Sequence, residues 1–141
     1  MTLKLSKVDL WAASIDDRAG GAADRLEPLA EAGANFEFVF SRRTPEQPGR
    51  GMLFVTPVKG AKLVQAAQAA GFSKPENVHS VRIEGANKAG VTAKVARALA
   101  NAGISFRALS ATGIGSRFES YVALDTAEDA AKAVSLLKRL S

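Results

Sequence analysis

The chain has 141 residues, of which 47% are apolar and only 6% are aromatic, and it contains no cysteine. This length suits one average domain or two small ones, and a chain without cysteine cannot form disulfides or thiolate metal sites. The net charge of +5 comes from dispersed basic residues, which favours a solvated surface over a nucleic-acid interface. Charges at Lys4, Lys7 and Asp9 interrupt any signal-peptide core, and no apolar run approaches the ~18 residues of a membrane helix. We therefore expect a cytoplasmic protein that does not enter a membrane.

The sequence repeats itself at a spacing of seventy residues. Residues 19–36 align without a gap with residues 89–106. Two Ala-rich helices can share alanines by chance, but two glycines and a phenylalanine recur here at one spacing. The identical pairs are Ala19/Ala89, Gly20/Gly90, Ala23/Ala93, Leu29/Leu99, Ala30/Ala100, Ala32/Ala102, Gly33/Gly103 and Phe36/Phe106.

Each half of the chain predicts the same order of elements. The first half predicts strands at 7–15, 34–43 and 51–56, with one helix between the first two strands and another at 59–70. The second half predicts strands at 78–85, 104–112 and 117–124, again with a helix after the first strand, and a last helix at 126–140.

Four residues mark or disturb the ends of the predicted helices. Gly33 and Gly103 lie where a left-handed cap ends the first helix of each half. Thr126 opens the last helix with a sequence that resembles a capping box. Pro28 lies inside the first helix and removes a hydrogen bond, so we expect a kink there or a helix that begins late.

The order β-α-β-β-α, found twice, is that of ferredoxin-like α+β domains. We predict an α+β protein with two ferredoxin-like βαββαβ units, whose antiparallel sheets carry helices on one face. The predicted domains are residues 1–72 and 73–141. The second unit ends on its helix and lacks a final edge strand, which residues 1–6 or a neighbouring subunit could supply. We expect the fourth strand of the first unit at 72–84.

The loop Gly85-Ala-Asn-Lys-Ala-Gly-Val-Thr92 is one residue away from a phosphate-binding loop. Gly85, Gly90 and Thr92 fit that pattern, but Val91 stands where the lysine that reaches the phosphates is needed. The counterpart in the first half lacks the leading glycine as well. Nucleotide binding through this loop is therefore not expected.

Two other functions find little support. The segment Arg50-Gly-Met-Leu-Phe-Val-Thr-Pro57 partly matches the third-strand motif of RNA-recognition domains, but Met52, Leu53 and Pro57 break it and remove a stacking ring. His79 is the only histidine, and no nucleophile, base or metal cluster is assembled around it. We expect no RNA binding, no cofactor and no enzymatic activity.

Two stretches resemble the ACT domains, small regulatory modules that bind amino acids: "SIDDRAGGAADRLEPLAEAGANFEFV" and "IEGANKAGVTAKVARALANAGISFRAL". The family pattern is an apolar strand, an Asp or Asn, a turn with glycine, and a helix that ends in a turn into the second strand. The family's common proline before the glycine is Ala19 and Ala89 here. The resemblance covers nearly the whole chain, which looks like a stand-alone protein with tandem ACT domains.

The resemblance implies that an amino acid binds near the loop between the first strand and first helix of a unit, at an interface between domains or subunits. A helix N-terminus offers unpaired N–H groups and a positive partial charge to a carboxylate. In the second unit the implied ligand-binding residues are Asn87, Lys88, Ala89, Gly90, Val91 and Thr92. In the first unit they are Asp16, Asp17, Gly20 and Gly21.

The resemblance also implies partners. ACT units pair through strands and helices, so we expect a homo-oligomer, most simply a homodimer. Binding of a free amino acid would then alter this pairing or the contacts with an enzyme or regulator. The alternative is a ligand-free interaction module that uses the same sheet edges.

Overall fold

The computed structural model describes residues 2–140, which form seven strands and four helices in two antiparallel sheets. The elements are β1 (Lys4–Val8), β2 (Trp11–Asp16), α1 (Gly21–Glu31), β3 (Phe38–Arg43), β4 (Arg50–Thr56), α2 (Ala61–Ala69), β5 (His79–Ala86), α3 (Val91–Asn101), β6 (Ala108–Ile114), β7 (Arg117–Leu124) and α4 (Ala127–Leu137). They form an N-terminal unit of residues 9–75 and a C-terminal unit of residues 2–8 with 76–140. The α+β class with two ferredoxin-like units is thus confirmed.

The N-terminal unit has a three-stranded sheet in the order β2-β4-β3. Trp11 and Ala13 of β2 lie opposite Val55 and Leu53 of β4, so these side chains share one face of the sheet. That face is buried together with Leu29 of α1, which is fully buried. These side chains, together with those packed against them, form the core of the unit.

The C-terminal unit has a four-stranded sheet in the order β1-β5-β7-β6. Val81 and Ile83 of β5 and Val122 of β7 lie on the face that packs with Leu99 of α3 and Leu137 of α4. Each of these side chains is at most 1% exposed. Burial of one such aliphatic side chain stabilises a fold by about 1.5–3 kcal/mol, so this face holds the unit together.

The edge strand that the C-terminal unit lacks in its own sequence comes from the start of the chain. β1 pairs antiparallel with β5, from Lys4 opposite Glu84 to Val8 opposite Ser80. Of the two sources left open by the sequence, the structure uses the chain's own first residues. The compact units therefore differ from the predicted division at 72/73, because residues 2–8 lie with the later half of the chain.

Two predictions for the N-terminal unit were wrong. The single strand predicted at 7–15 is two strands, β1 and β2, which belong to different sheets. The fourth strand expected from 72–84 is absent from this unit's three-stranded sheet, since residues 79–84 of that segment belong to β5 in the other sheet. Only an isolated bridge between Ala12 and Ser73 remains at this edge within residues 2–140.

The repeated glycines end and begin the helices as their spacing predicts. Gly33 and Gly103 have φ of 91° and 73°, and the N–H groups of Ala34 and Ile104 reach back to the Leu29 and Leu99 carbonyls. This pattern is the left-handed cap expected after α1 and α3. α1 begins at Gly21 and includes Pro28, so the first helix does not begin late.

Thr126 caps α4 as predicted, because its Oγ1 accepts a hydrogen bond from the Asp129 N–H at 3.0 Å.

None of the helices in the described part of the chain has the length and apolar composition needed to cross a membrane.

Candidate functional site

The loop between β5 and α3 is held in place by the turn between β6 and β7. The Asn87 N–H donates to the Ser116 carbonyl at 2.9 Å, and Asn87 Nδ2 donates to the Gly115 carbonyl at 3.1 Å. Gly113 makes room for the Asn87 side chain, because a Cβ at that position would lie 2.7 Å from Asn87 Nδ2. Asn87 therefore links the first strand, the helix start and the neighbouring turn of this unit.

Gly90 sets the direction in which α3 begins. It is the N-cap residue in the left-handed region, with φ of 82°, a conformation that favours glycine. No side chain caps the helix, and the first backbone hydrogen bond of the helix runs from the Lys94 N–H to the Gly90 carbonyl. The Thr92 and Ala93 N–H groups donate to no backbone carbonyl among residues 2–140, so they are available to an anion.

A cavity of about 220 Å³ lies beside this helix start. Buried Val91 and Phe118 contribute apolar side chains to it, while the other lining residues are exposed or half-buried. Lys88 is the one lining residue with a charged side chain. Within the described residues, no ion pair joins Lys88 to a carboxylate. The cavity thus combines backbone donors, one cation and a small apolar surface.

The cavity is lined by five of the six residues proposed from the sequence for this loop, namely Asn87, Lys88, Gly90, Val91 and Thr92. Ala89 does not line it. The sequence reasoning missed Ala93 and the opposite wall, which consists of Ala111, Thr112, Gly113 and Phe118. Pairing of Gly113 with Phe118 across β6 and β7 brings this wall to the loop. The strands predicted at 104–112 and 117–124 were the one feature of the sequence that could have indicated this wall.

The candidate residues of the N-terminal unit lie in a different environment. Asp16 pairs with Arg50 and lies 3.6 Å from Arg18, and Asp17 pairs with Arg43 at 2.9 Å. Gly20 is again a left-handed N-cap, with φ of 90°, and Gly21 begins α1. The structure therefore places the two sets of predicted residues in separate loops of separate units, and only the later set lines the cavity described above.

Arginine side chains neutralise the acidic groups of the N-terminal loop. Arg18 donates to Asp24 in the first turn of α1 at 2.8 Å, and hydrogen bonding to Asp24, followed by its charge, raises the pKa of Arg18 above its ordinary value. Arg50 also donates to the Ser14 hydroxyl. The segment that partly matches the RNA-recognition motif thus forms β4, and its Arg50 binds Ser14 and Asp16 of β2.

The remaining titratable candidate forms no site. His79 begins β5, and its Nε2 lies 3.0 Å from the Glu76 carbonyl oxygen. Over residues 2–140, no group of three or more His, Asp or Glu side chains could hold a metal ion.

Residues 79–141 match the family model of the ACT domain. No curated protein sequence matches the chain significantly. A Bacteroides thetaiotaomicron protein of known structure is similar over 94% of this chain and 88% of its own, with 15% identity and a TM-score of 0.74. The ligand-free regulatory subunit of aspartate kinase from Thermus thermophilus is similar over 99% and 97% of the two chains, with 20% identity and a TM-score of 0.68.

The regulatory subunit of aspartate kinase from Thermus flavus has 21% identity and a TM-score of 0.57, over 96% of this chain and 95% of its own. At these identities the similarity establishes the fold. The family match covers β5 to the end of the chain and includes the loop that lines the cavity. Residues 79–141 therefore match the ACT domain by sequence, and the chain as a whole shares the fold of these solved structures.

Proposed function

We propose that this protein is a regulatory module that binds a free amino acid in the cavity beside α3. The observation that carries the proposal is the cavity itself, which is lined by Lys88 and by Thr92 and Ala93, whose N–H groups donate to no backbone carbonyl among residues 2–140. The match of this segment to the ACT family supports the same conclusion. The proposed ligand is small, because a cavity of about 220 Å³ lies below the usual range of small-molecule sites, about 300–1,000 Å³.

The carboxylate of the amino acid is proposed to bind at the start of α3. Two backbone N–H groups and the positive end of the helix dipole favour an anion there, and Lys88 adds a full positive charge. Asn87 donates to Gly115 through Nδ2, which leaves its Oδ1 to accept a hydrogen bond from the ligand ammonium. Gly90 brings the backbone to the ligand without an intervening Cβ.

The regulatory role is supported by the similar structures, which include regulatory subunits of aspartate kinase. We propose that this chain likewise acts on an enzyme or regulator and has no catalytic activity of its own. β3 and β6 each lie at the edge of their sheet and so have unpaired backbone groups along one side. Pairing of copies through such edges, most simply as a homodimer, would allow a bound ligand to change the assembly.

The test is a panel of the twenty amino acids in a thermal-shift measurement. A ligand that binds only the folded chain stabilises it by RT ln(1 + [L]/Kd), about 2.7 kcal/mol at a hundredfold excess over Kd. We expect at least one amino acid to raise the melting temperature in a saturable manner. No shift with any of the twenty at millimolar concentration would contradict the proposal and favour the ligand-free interaction module.

A further inference from the structure

We infer that the chain has one ligand site, in the C-terminal unit, and that the equivalent place in the N-terminal unit is closed by the chain itself. This inference rests on the proposed function, since it concerns the same site. It is carried by the differences between the two loops at positions that the repeat and the strand registers make equivalent.

The equivalent positions follow from the pairing of the strands. Ile15 of β2 lies opposite Gly51 of β4, and Gly85 of β5, seventy residues after Ile15, lies opposite Phe118 of β7. Gly51 therefore corresponds to Phe118. By the same comparison Arg43, which lies opposite Gly51 in β3, corresponds to Gly113, which lies opposite Phe118 in β6.

The apolar side chains that line the cavity are missing in the N-terminal unit. Val91 and Phe118 correspond to Gly21 and Gly51. Backbone occupies the space instead, because a Cβ on Gly21 would lie 2.0 Å from the Asp16 carbonyl oxygen. A Cβ on Gly51 would likewise lie 2.7 Å from the Arg42 carbonyl oxygen. The main chain of the loop thus packs against the start of α1 at Gly21, and the main chain of β3 packs against Gly51, at the two places where the other unit has apolar side chains.

The wall of the site is also different. In the C-terminal unit the Asn87 side chain lies against Gly113, whereas the equivalent residues Asp17 and Arg43 form an ion pair at 2.9 Å. The pair joins the loop to β3, so the Asp17 carboxylate is already bound by a guanidinium. Exposed pairs of this kind contribute little to stability, but they place two opposite charges where a ligand would have to bind.

The charge at the helix start has opposite signs in the two units. The first turn of α1 has Asp24, bound by Arg18 at 2.8 Å, while the equivalent position in α3 is Lys94. Beside α1 the positive charge of Arg18, which is equivalent to Lys88, is balanced by Asp24. Beside α3, by contrast, a carboxylate ligand would meet the positive charges of Lys88 and Lys94. The loop before α1 is therefore a turn that the fold requires, whereas the loop before α3 binds the ligand.

The full chain labelled with ¹⁵N tests this inference in an NMR titration with an equimolar mixture of the twenty amino acids at constant pH. We expect the Thr92 and Ala93 amide signals to shift in a saturable manner, and the equivalent Ala22 and Ala23 signals to stay in place. Shifts at Ala22 and Ala23 equal to or larger than those at Thr92 and Ala93 would overturn the inference and leave the proposed function standing. Absence of shifts in both loops would contradict the proposed function, and the inference would fall with it.

A matched pair of variants gives a second readout that does not disturb the core. Lys94→Asp reproduces the charge of the N-terminal unit at an exposed position of α3, and should weaken the affinity for the amino-acid mixture about threefold or more. Asp24→Lys makes the reverse change in α1 and should leave the affinity unchanged. The opposite ranking of the two variants, at equal melting temperature, would overturn the assignment of the site to α3.

Discussion

Gly90 and Gly20 are equivalent residues with the same conformation and, in our account, different roles. Both are left-handed N-caps, with φ of 82° and 90°. A side chain with a Cβ costs roughly 1–2 kcal/mol in this region, so Gly90→Val and Gly20→Val should both lower the free energy of unfolding by at least that amount. Only Gly90→Val should abolish the thermal shift caused by an amino acid. Loss of the shift in Gly20→Val alone would show that the ligand binds at the other loop.

Single residues also show how far the site could be predicted from sequence. Gly90 was predicted because it recurs seventy residues after Gly20, and Asn87 because it lies at the Asn/Asp position of the ACT pattern, three residues earlier. Gly113 and Phe118 were missed because they reach the cavity only through the pairing of β6 with β7. That pairing was predicted, but the register that brings these two residues to Asn87 depends on the turn between the strands, which local sequence does not specify.

At the scale of elements, the first helix of each unit is anchored by a buried leucine at the equivalent position of the repeat. Leu29 of α1 is 0% exposed and Leu99 of α3 is 1% exposed, and each lies in the core of its own unit. Replacement of a buried leucine by alanine usually costs about 2–5 kcal/mol. We expect Leu29→Ala and Leu99→Ala each to lower the free energy of unfolding within that range in urea titrations. A loss below about 1 kcal/mol for either would show that its helix is not anchored as described.

The cap of α4 makes a smaller contribution that can be isolated. Thr126→Ala removes the side-chain oxygen that accepts from the Asp129 N–H, and should cost about 1 kcal/mol. Thr126→Ser keeps that oxygen and serves as the control in the same denaturation experiment. Equal stability of the two variants would show that the cap does not contribute.

Local sequence predicted the positions of the helices and strands better than it predicted which strands pair with each other. Apolar periodicity and the glycines after Leu29 and Leu99 placed the helices close to where they lie. The strand predicted at 7–15 was wrong because Asp9 is the one turn-favouring residue between Val8 and Trp11, although the chain leaves one sheet and enters the other there. The sheet that a strand joins is decided by its pairing with residues far along the chain, and a single sequence does not show which residues pair.

For the whole molecule, the first strand completes the unit that ends the chain. β1 covers one edge of β5, and Leu3 and Leu5 pack into the core of the C-terminal unit. Deletion of residues 2–8 should therefore speed hydrogen exchange of the β5 amides, while the amides of β2 and β4 serve as an internal reference. Unchanged protection of β5 would contradict the described order of strands.

The central claim is that an amino acid binds with its carboxylate at the start of α3. A crystal structure of the chain, grown with the amino acid that gives the largest thermal shift, tests it most directly. We predict carboxylate oxygens within about 2.7–3.2 Å of the Thr92 and Ala93 nitrogens, beside Asn87 and Lys88, in the C-terminal unit only. A ligand bound elsewhere on the chain, or one whose carboxylate contacts the start of α1 instead, would contradict the claim.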